Sequence, residues 1–305
     1  MSIIKRYHMF ELLAAMSILL LLSACSQIPL GNSGSSLSLG DVLQKSTDAM
    51  KQLKTAHIDL QSNSSAQASN ATPGAVTNSG LPTATSTPTN FTAAIKGSGD
   101  VVLPNQEQLN LTINQNTKVA EIVQDGKIYV QNTQGKWFVL DKDRFQGLTG
   151  NPFAGVQLDQ KSLLGLIQHA NITDHGTEAL NGQQLRHASA DLDKDALRQL
   201  FDSNPQLKSM VGQQITDNIL DRTKTFKSSL DVWIDETQFY VHRTELKLNL
   251  TADTAGTVGA APSSVTTNLD TIIDLSKFND PVTIAPPADA IPTDNPADVF
   301  GSQQQ

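Results

Sequence analysis

Between residues 91 and 141, apolar side chains recur at every second position, the period of a strand with one face buried. Lys118 to Asp141 shows it most clearly. Val119, Glu121 and Val123 alternate with Ala120, Ile122 and Gln124, and Ile128 and Val130 alternate with Lys127, Tyr129 and Gln131. Asp125-Gly126 between them is the dipeptide that supplies positive φ for a two-residue hairpin turn. Asn132 to Gly135 predicts a second turn, and Trp137-Phe138-Val139-Leu140 a third strand. The segments before this meander, Phe91 to Leu103 and Gln106 to Gln115, predict a hairpin turning at Pro104-Asn105. Gly97 and Gly99 occupy one face of its first strand, the signature of strong curvature or of close approach by another element.

Helical periodicity flanks and interrupts these strands. Leu39, Val42, Leu43, Ala49, Met50 and Leu53 recur at three- and four-residue steps behind a capping Ser38, and Ala56, Ile58 and Leu60 then return to alternation. Leu158 to His169 predicts a second helix, Lys194 to Phe201 a third capped by Asp193, and Pro205 opens a fourth. Leu192 and Leu197 are spaced for a hydrophobic staple across the cap at Asp193. Ile172 to Ala179 and Gln184 to Ala190 predict a hairpin around Asn181-Gly182, and Phe226 to Ile234, Phe239 to Leu250 and Val265 to Leu275 predict the closing strands. Runs of strands around a helical middle imply an α+β plan, with helices on one side of an antiparallel sheet. Residues 63–90 and 251–264 are Ser, Thr, Ala, Asn and Gly with few large apolar side chains, a composition that cannot offset its ordering entropy; both read as mobile loops. The Pro/Asp/Gln stretch 285–305 reads as a disordered tail.

The N-terminal residues bear on compartment. Lys5 and Arg6 precede an apolar run, Leu12 to Leu22, too short for the ~20 residues that span a bilayer, so residues 1–24 read as a secretory signal peptide. Leu22-Ser23-Ala24-Cys25 matches a bacterial lipobox, making Cys25 the expected lipidation site and residues 25–38 a Gly/Ser-type tether. The expected location is the outer face of the cell membrane or the envelope. Cys25 is the sole cysteine, so no intramolecular disulfide and no thiol pair can form. The net charge is −8 (22 basic, 30 acidic residues); removing Lys5, Arg6 and Glu11 leaves 20 and 29, near −9. Without a basic run, neither nucleic acid nor a broad anionic lipid surface is an expected partner.

The lipobox, the tether, the helix running into Leu53-Lys54-Thr55-Ala56-His57-Ile58, the meander Asp125 to Val130 and Gly135 to Asp141, the helical middle and the long closing strands resemble, in that order, the LppX/LprAFG lipoprotein family, whose fold is similar to the LolA and LolB carriers. The resemblance covers residues 39–284. It implies a strongly curved antiparallel half-barrel sheet with helices closing its concave face, and a cavity between them for the acyl chains, such as palmitate, of lipids or glycolipids. It implies no catalytic residues and no cofactor. Ile95, Leu111, Ile113, Ile128, Val130, Trp137, Val232, Ile234, Leu246 and Leu248 are the candidate strand walls. Leu163, Leu164, Ile167, Leu207, Met210, Val211 and Ile215 are the candidate helical lid. The same residues describe a filled core equally well, and a tethered sensor or scaffold is then the alternative to a carrier.

Other chemistry finds little support. Asp191, Asp193 and Asp195 suggest a calcium loop, but Ala196 stands where glycine belongs and Asp202 where glutamate belongs; helix capping accounts for Asp193. His169, His175 and His187 have no zinc-motif spacing and read as surface or capping residues, so no metal is expected. There is no GxSxG elbow, phosphate-binding glycine loop or paired-cysteine motif, and an enzyme is not expected. Trp137 and Trp233 each read as core residues first and cavity lining second.

Overall fold

The computed structural model describes residues 37–69, 91–141, 171–203, 220–253, 264–295 and 298–299. All of them belong to one compact unit, Leu37–Gln305. In chain order the elements are α1 (Leu39–Gln52), β1 (Thr55–Ser69), β2 (Phe91–Val102), β3 (Gln106–Ile113), β4 (Thr117–Gln124), β5 (Lys127–Gln131), β6 (Trp137–Asp141), β7 (Asn171–Leu180), β8 (Gln183–Asp191), α2 (Lys194–Ser203), β9 (Thr223–Ile234), β10 (Val241–Asp253), β11 (Ser264–Ser276) and β12 (Ile291–Pro292). The strands form a single curved, open sheet in the order β12-β6-β5-β4-β3-β2-β1-β11-β10-β9-β8-β7. Every pairing is antiparallel except the short β12–β6 contact. No described helix is long and apolar enough to cross a membrane.

Local sequence explains the turns. Asp125 and Gly126 carry φ of 52° and 74°, and Asn181 and Gly182 carry 51° and 81°, the left-handed pairs that two-residue hairpins need. Asp235 closes the β9–β10 turn by accepting hydrogen bonds from the backbone N–H of Thr237 and Gln238, both at 2.7 Å. Ser38 caps α1, its Oγ accepting from the Asp41 N–H at 3.2 Å. Asp193 caps α2, its Oδ1 accepting from the Ala196 N–H at 2.7 Å. The staple forms as well: Leu192 and Leu197 are both buried in one cluster.

Three stretches differ from their composition. β1 runs on to Ser69, and β10 and β11 reach Asp253 and Ser264, into segments whose composition predicts loops. β1 is central, paired with β2 on one side and β11 on the other, so its polar residues keep both ladders of backbone hydrogen bonds. Ser62 Oγ also bonds Thr271 Oγ1 across the ladder at 2.8 Å. Residues 70–90 and 254–263 lie outside the described residues. The C-terminal stretch is placed rather than free: Ile291 and Pro292 pair with Phe138 and Val139, and the Thr293 N–H donates to the Val139 carbonyl at 3.0 Å.

Both described helices lie on one face of the sheet. Val42 of α1, fully buried, packs with Ala188, Val232, Ile234 and Val241. Ala196 and Leu197 of α2 pack with Leu230, Leu246, Leu248 and Leu250. Helical closure of the rest of that face was expected from Leu158 to His169 and the segment after Pro205, which lie outside the described residues.

Candidate functional site

The candidate site is the inner face of the sheet, the face that α1 and α2 touch. Antiparallel register fixes which side chains share it, because directly paired residues point the same way. One row runs Leu275, Ile58, Gly99, Leu109, Glu121, Val130, Phe138. The next runs Ile273, Leu60, Gly97, Leu111, Val119. A third, Thr271, Ser62, Ile95, Ile113, Thr117, introduces hydroxyls. The apolar surface therefore runs across β11, β1, β2 and β3 to Val119 of β4, with Glu121 standing between it and Val130 of the meander.

The glycines in these rows permit close approach. A Cβ at Gly99 would lie 1.9 Å from the Gln108 carbonyl oxygen, and one at Gly97 would lie 2.6 Å from Leu111 Cδ2. Curvature at β2 thus brings β3 onto the glycine face, leaving no room for a side chain.

Of the strand residues read from the sequence, Ile95, Leu111, Ile113, Ile128, Val130, Val232, Ile234, Leu246 and Leu248 all fall on the inner face. They are divided among the clusters of that face. Ile128 and Val130 pack with Val123, Phe138, Leu140 and Val299. Leu111 and Ile95 belong with Ile58, Leu60, Leu109 and Ile273. Val232 and Ile234 meet α1, and Leu246 and Leu248 meet α2. Trp137 is a correction. It pairs with Gln131, whereas Phe138 pairs with Val130 and Leu140 with Ile128, so Trp137 points from the opposite face and Phe138 and Leu140 take the inward positions. The four apolar residues in succession from Trp137 to Leu140 carry no alternation, so only the register tells their faces apart. Trp233 is buried as expected, 7% exposed, but on the outer face of the sheet, with its ring stacked on His187. Leu163, Leu164, Ile167, Leu207, Met210, Val211 and Ile215 lie outside the described residues, as does Cys25.

Two acidic residues of the inner face are absent from the sequence-derived set. Glu107 and Glu121 are each only 6% exposed, and the pairing of Leu109 with Glu121 and of Glu107 with Val123 makes them diagonal neighbours. Their phase was the available signal: Glu107 alternates with Leu109 and Leu111, and Glu121 with Val119 and Val123. Val299 is the other omission. It is 3% exposed and sits in the meander cluster, reached from a stretch whose composition predicts disorder.

The opposite face carries ion pairs alongside Ile122, Trp137 and Trp233. Arg243 holds Asp274 in a two-pronged contact, Nε to Oδ1 at 2.6 Å and a terminal nitrogen to Oδ2 at 2.7 Å. The Asp274 hydrogen bond raises the Arg243 pKa above its usual value, against the opposing effect of burial.

A family model spans residues 38–294, nearly all of the described structure. The chain belongs to DUF6612, a family of unknown function. No curated protein matches it. Among solved structures the chain is similar to the Mycobacterium tuberculosis lipoprotein LppX, with 18% identity, a TM-score of 0.43, and 81% of this chain and 100% of that one covered. It is also similar to LprF from Mycobacterium bovis, with 17% identity, a TM-score of 0.40, and 81% and 96% covered. A Vibrio parahaemolyticus domain named for outer-membrane lipoprotein sorting is similar at 10% identity and a TM-score of 0.26, with 81% and 95% covered. The lipoproteins whose family the sequence resembles are thus among the structural neighbours of this DUF6612 chain.

Proposed function

We propose that the protein is a non-enzymatic, membrane-anchored lipoprotein that binds the acyl chains of a lipid or glycolipid on its inner sheet face and holds or passes them within the cell envelope. The observation that carries this reading is the extended apolar cluster of the inner face across β11, β1, β2 and β3. Keeping an acyl chain of about 16 carbons out of water is worth on the order of 12 kcal/mol at ~0.8 kcal/mol per CH₂. Hydrogen bonds do not supply that; buried apolar surface does. The lipobox at Leu22 to Cys25 supports the anchor, and the acidic surface suits a domain that stands off anionic headgroups. Leu111 and Ile58 are the central wall residues in this proposal.

A second reading has its own observation. Val299 packs on Val123, Ile128, Val130, Phe138 and Leu140, so at the meander the inner face is covered by the chain itself. On that reading the domain is a tethered sensor or scaffold with a filled core. Purification of the protein without residues 1–36, followed by native mass spectrometry and lipid extraction, separates the two. The carrier reading expects co-purified lipid, or uptake of a fluorescent fatty acid that Leu111→Asp abolishes. A protein that is empty and takes up no acyl probe would leave the scaffold reading standing.

A further inference from the structure

On the outer face, β7, β8 and β9 bring together side chains that the sequence keeps far apart. His187 pairs with Trp233 in the β8–β9 register and Ser189 with Asp231, so His187 and Asp231 are diagonal neighbours on one face. A bulge between Asp174 and Gly176 adds His175 on the adjacent edge strand; Gly176, at φ +78°, is paired with His187. The result is a stack: His175 over His187 at 4.3 Å between ring centroids, and His187 over Trp233 at 4.2 Å with the planes within 8°.

From this cluster we infer a binding site for a divalent transition-metal ion of the zinc class, with His175, His187 and Asp231 as protein ligands. One ligand atom from each lies within 4.8 Å of the others. Bonds of ~2.0–2.2 Å at tetrahedral angles require ligand spacings of about 3.4 Å. His187 Nε2 and Asp231 Oδ1 are 2.9 Å apart already. His175 is the exposed member, and its Nε2 rests on Ser189 Oγ at 2.7 Å. A rotation of this one surface ring exchanges the hydroxyl for the ion.

The surroundings of His187 match what a metal-binding imidazole needs. Its Nδ1 lies 3.3 Å from Glu178 Oε1, and Trp233 Nε1–H donates to that same oxygen. With an ion bound, a carboxylate at Nδ1 holds the proton there and frees Nε2 to ligate beside Asp231, the carboxylate–histidine–metal arrangement. Lys247, which feels the charge of Asp231, is engaged by Glu245 Oε1 at 2.7 Å. Two imidazoles and a carboxylate suit zinc, nickel or copper rather than calcium or magnesium, which prefer all-oxygen sites. Three protein ligands leave a fourth position open to water or to a partner's side chain.

The test is calorimetric titration of the exported protein with Zn²⁺ under chelator competition, alongside His175→Gln, Glu178→Gln and a control, His57→Gln. His57 lies elsewhere on the sheet, beside Asp100. The expected result is one ion per chain, at least tenfold weaker binding in His175→Gln, and about 10–100-fold weaker binding in Glu178→Gln. The control should bind as the parent does. Quenching of Trp233 fluorescence by Cu²⁺, lost in His175→Gln, is the second readout; Trp233→Phe identifies its signal. Because His175 is exposed, its replacement leaves the fold intact. Absence of stoichiometric binding, or binding and quenching unchanged in His175→Gln, would overturn the assignment.

Discussion

At the scale of single residues, the fold depends on positions where the backbone or a charge leaves one option. At Gly99 the missing Cβ is replaced by the neighbouring strand itself, and the clashing atom is backbone, so no rotamer change relieves it. Gly99→Val is expected to cost about 2 kcal/mol or more by overpacking, read as a lower midpoint in urea; an unchanged midpoint would contradict the close approach of β3. Asp174 offers a pH test. Arg186 donates Nε–H to its Oδ1 at 2.8 Å, and that hydrogen bond, against desolvation, holds the Asp174 pKa below the usual 3.8. A carboxylate whose folded pKa is depressed contributes stability above its unfolded pKa and loses it as pH falls through the folded value. The stability gap between the parent and Asp174→Asn should therefore be constant near neutrality and close as pH drops below about 4. A gap that stays flat would show that the pair contributes nothing by this route. The caps at Ser38 and Asp193 were legible in the sequence because capping is a local interaction, complete within one helical turn.

At the scale of elements, the sheet needs its covering pieces as much as they need it. α2 presents Leu197, fully buried, to Leu230 and Leu250 across the inner face. Leu197→Ala is expected to destabilise by about 2–5 kcal/mol, since a helix clamped at its cap by Asp193 cannot collapse fully into the space left. The C-terminal stretch behaves as a covering element too. Val299→Ala removes two methyl groups from the meander cluster and should cost about 1.5 kcal/mol at ~0.8 per group. Denaturant titration distinguishes that value from zero, the result for a solvated tail. The strands from Phe91 to Leu140 were readable because alternation and Asp-Gly turn chemistry are local. The extension of β1 to Ser69 was not, since a serine- and asparagine-rich strand forms only where neighbours on both sides supply its hydrogen bonds.

At the scale of the whole molecule, two surfaces with different chemistry lie back to back. The inner face is mainly apolar, with a buried pair of glutamates and the Arg186–Asp174 ion pair at its β7–β8 edge, and the outer face carries the Arg243–Asp274 pair and an aromatic histidine cluster at one edge. If Cys25 carries the anchor, Cys25→Ser should move the protein from the membrane fraction to the soluble one without changing its melting temperature, because position 25 precedes the compact unit Leu37–Gln305 in the chain. Retention of the variant in the membrane would mean a different mode of attachment. From the sequence alone came the alternating strands, the hairpin turns, the helix caps and the segregation of apolar side chains to one face, all set by interactions within a few residues. Tertiary structure alone decided that Trp137 and Trp233 face outward, that Val299 returns to the meander, and that His175, His187 and Asp231 converge. The tryptophans and the histidine cluster depend on strand register, and His175 on a bulge as well, while Val299 depends on a long-range contact; all of these place residues far apart in the chain within ångströms and leave no periodic trace in it.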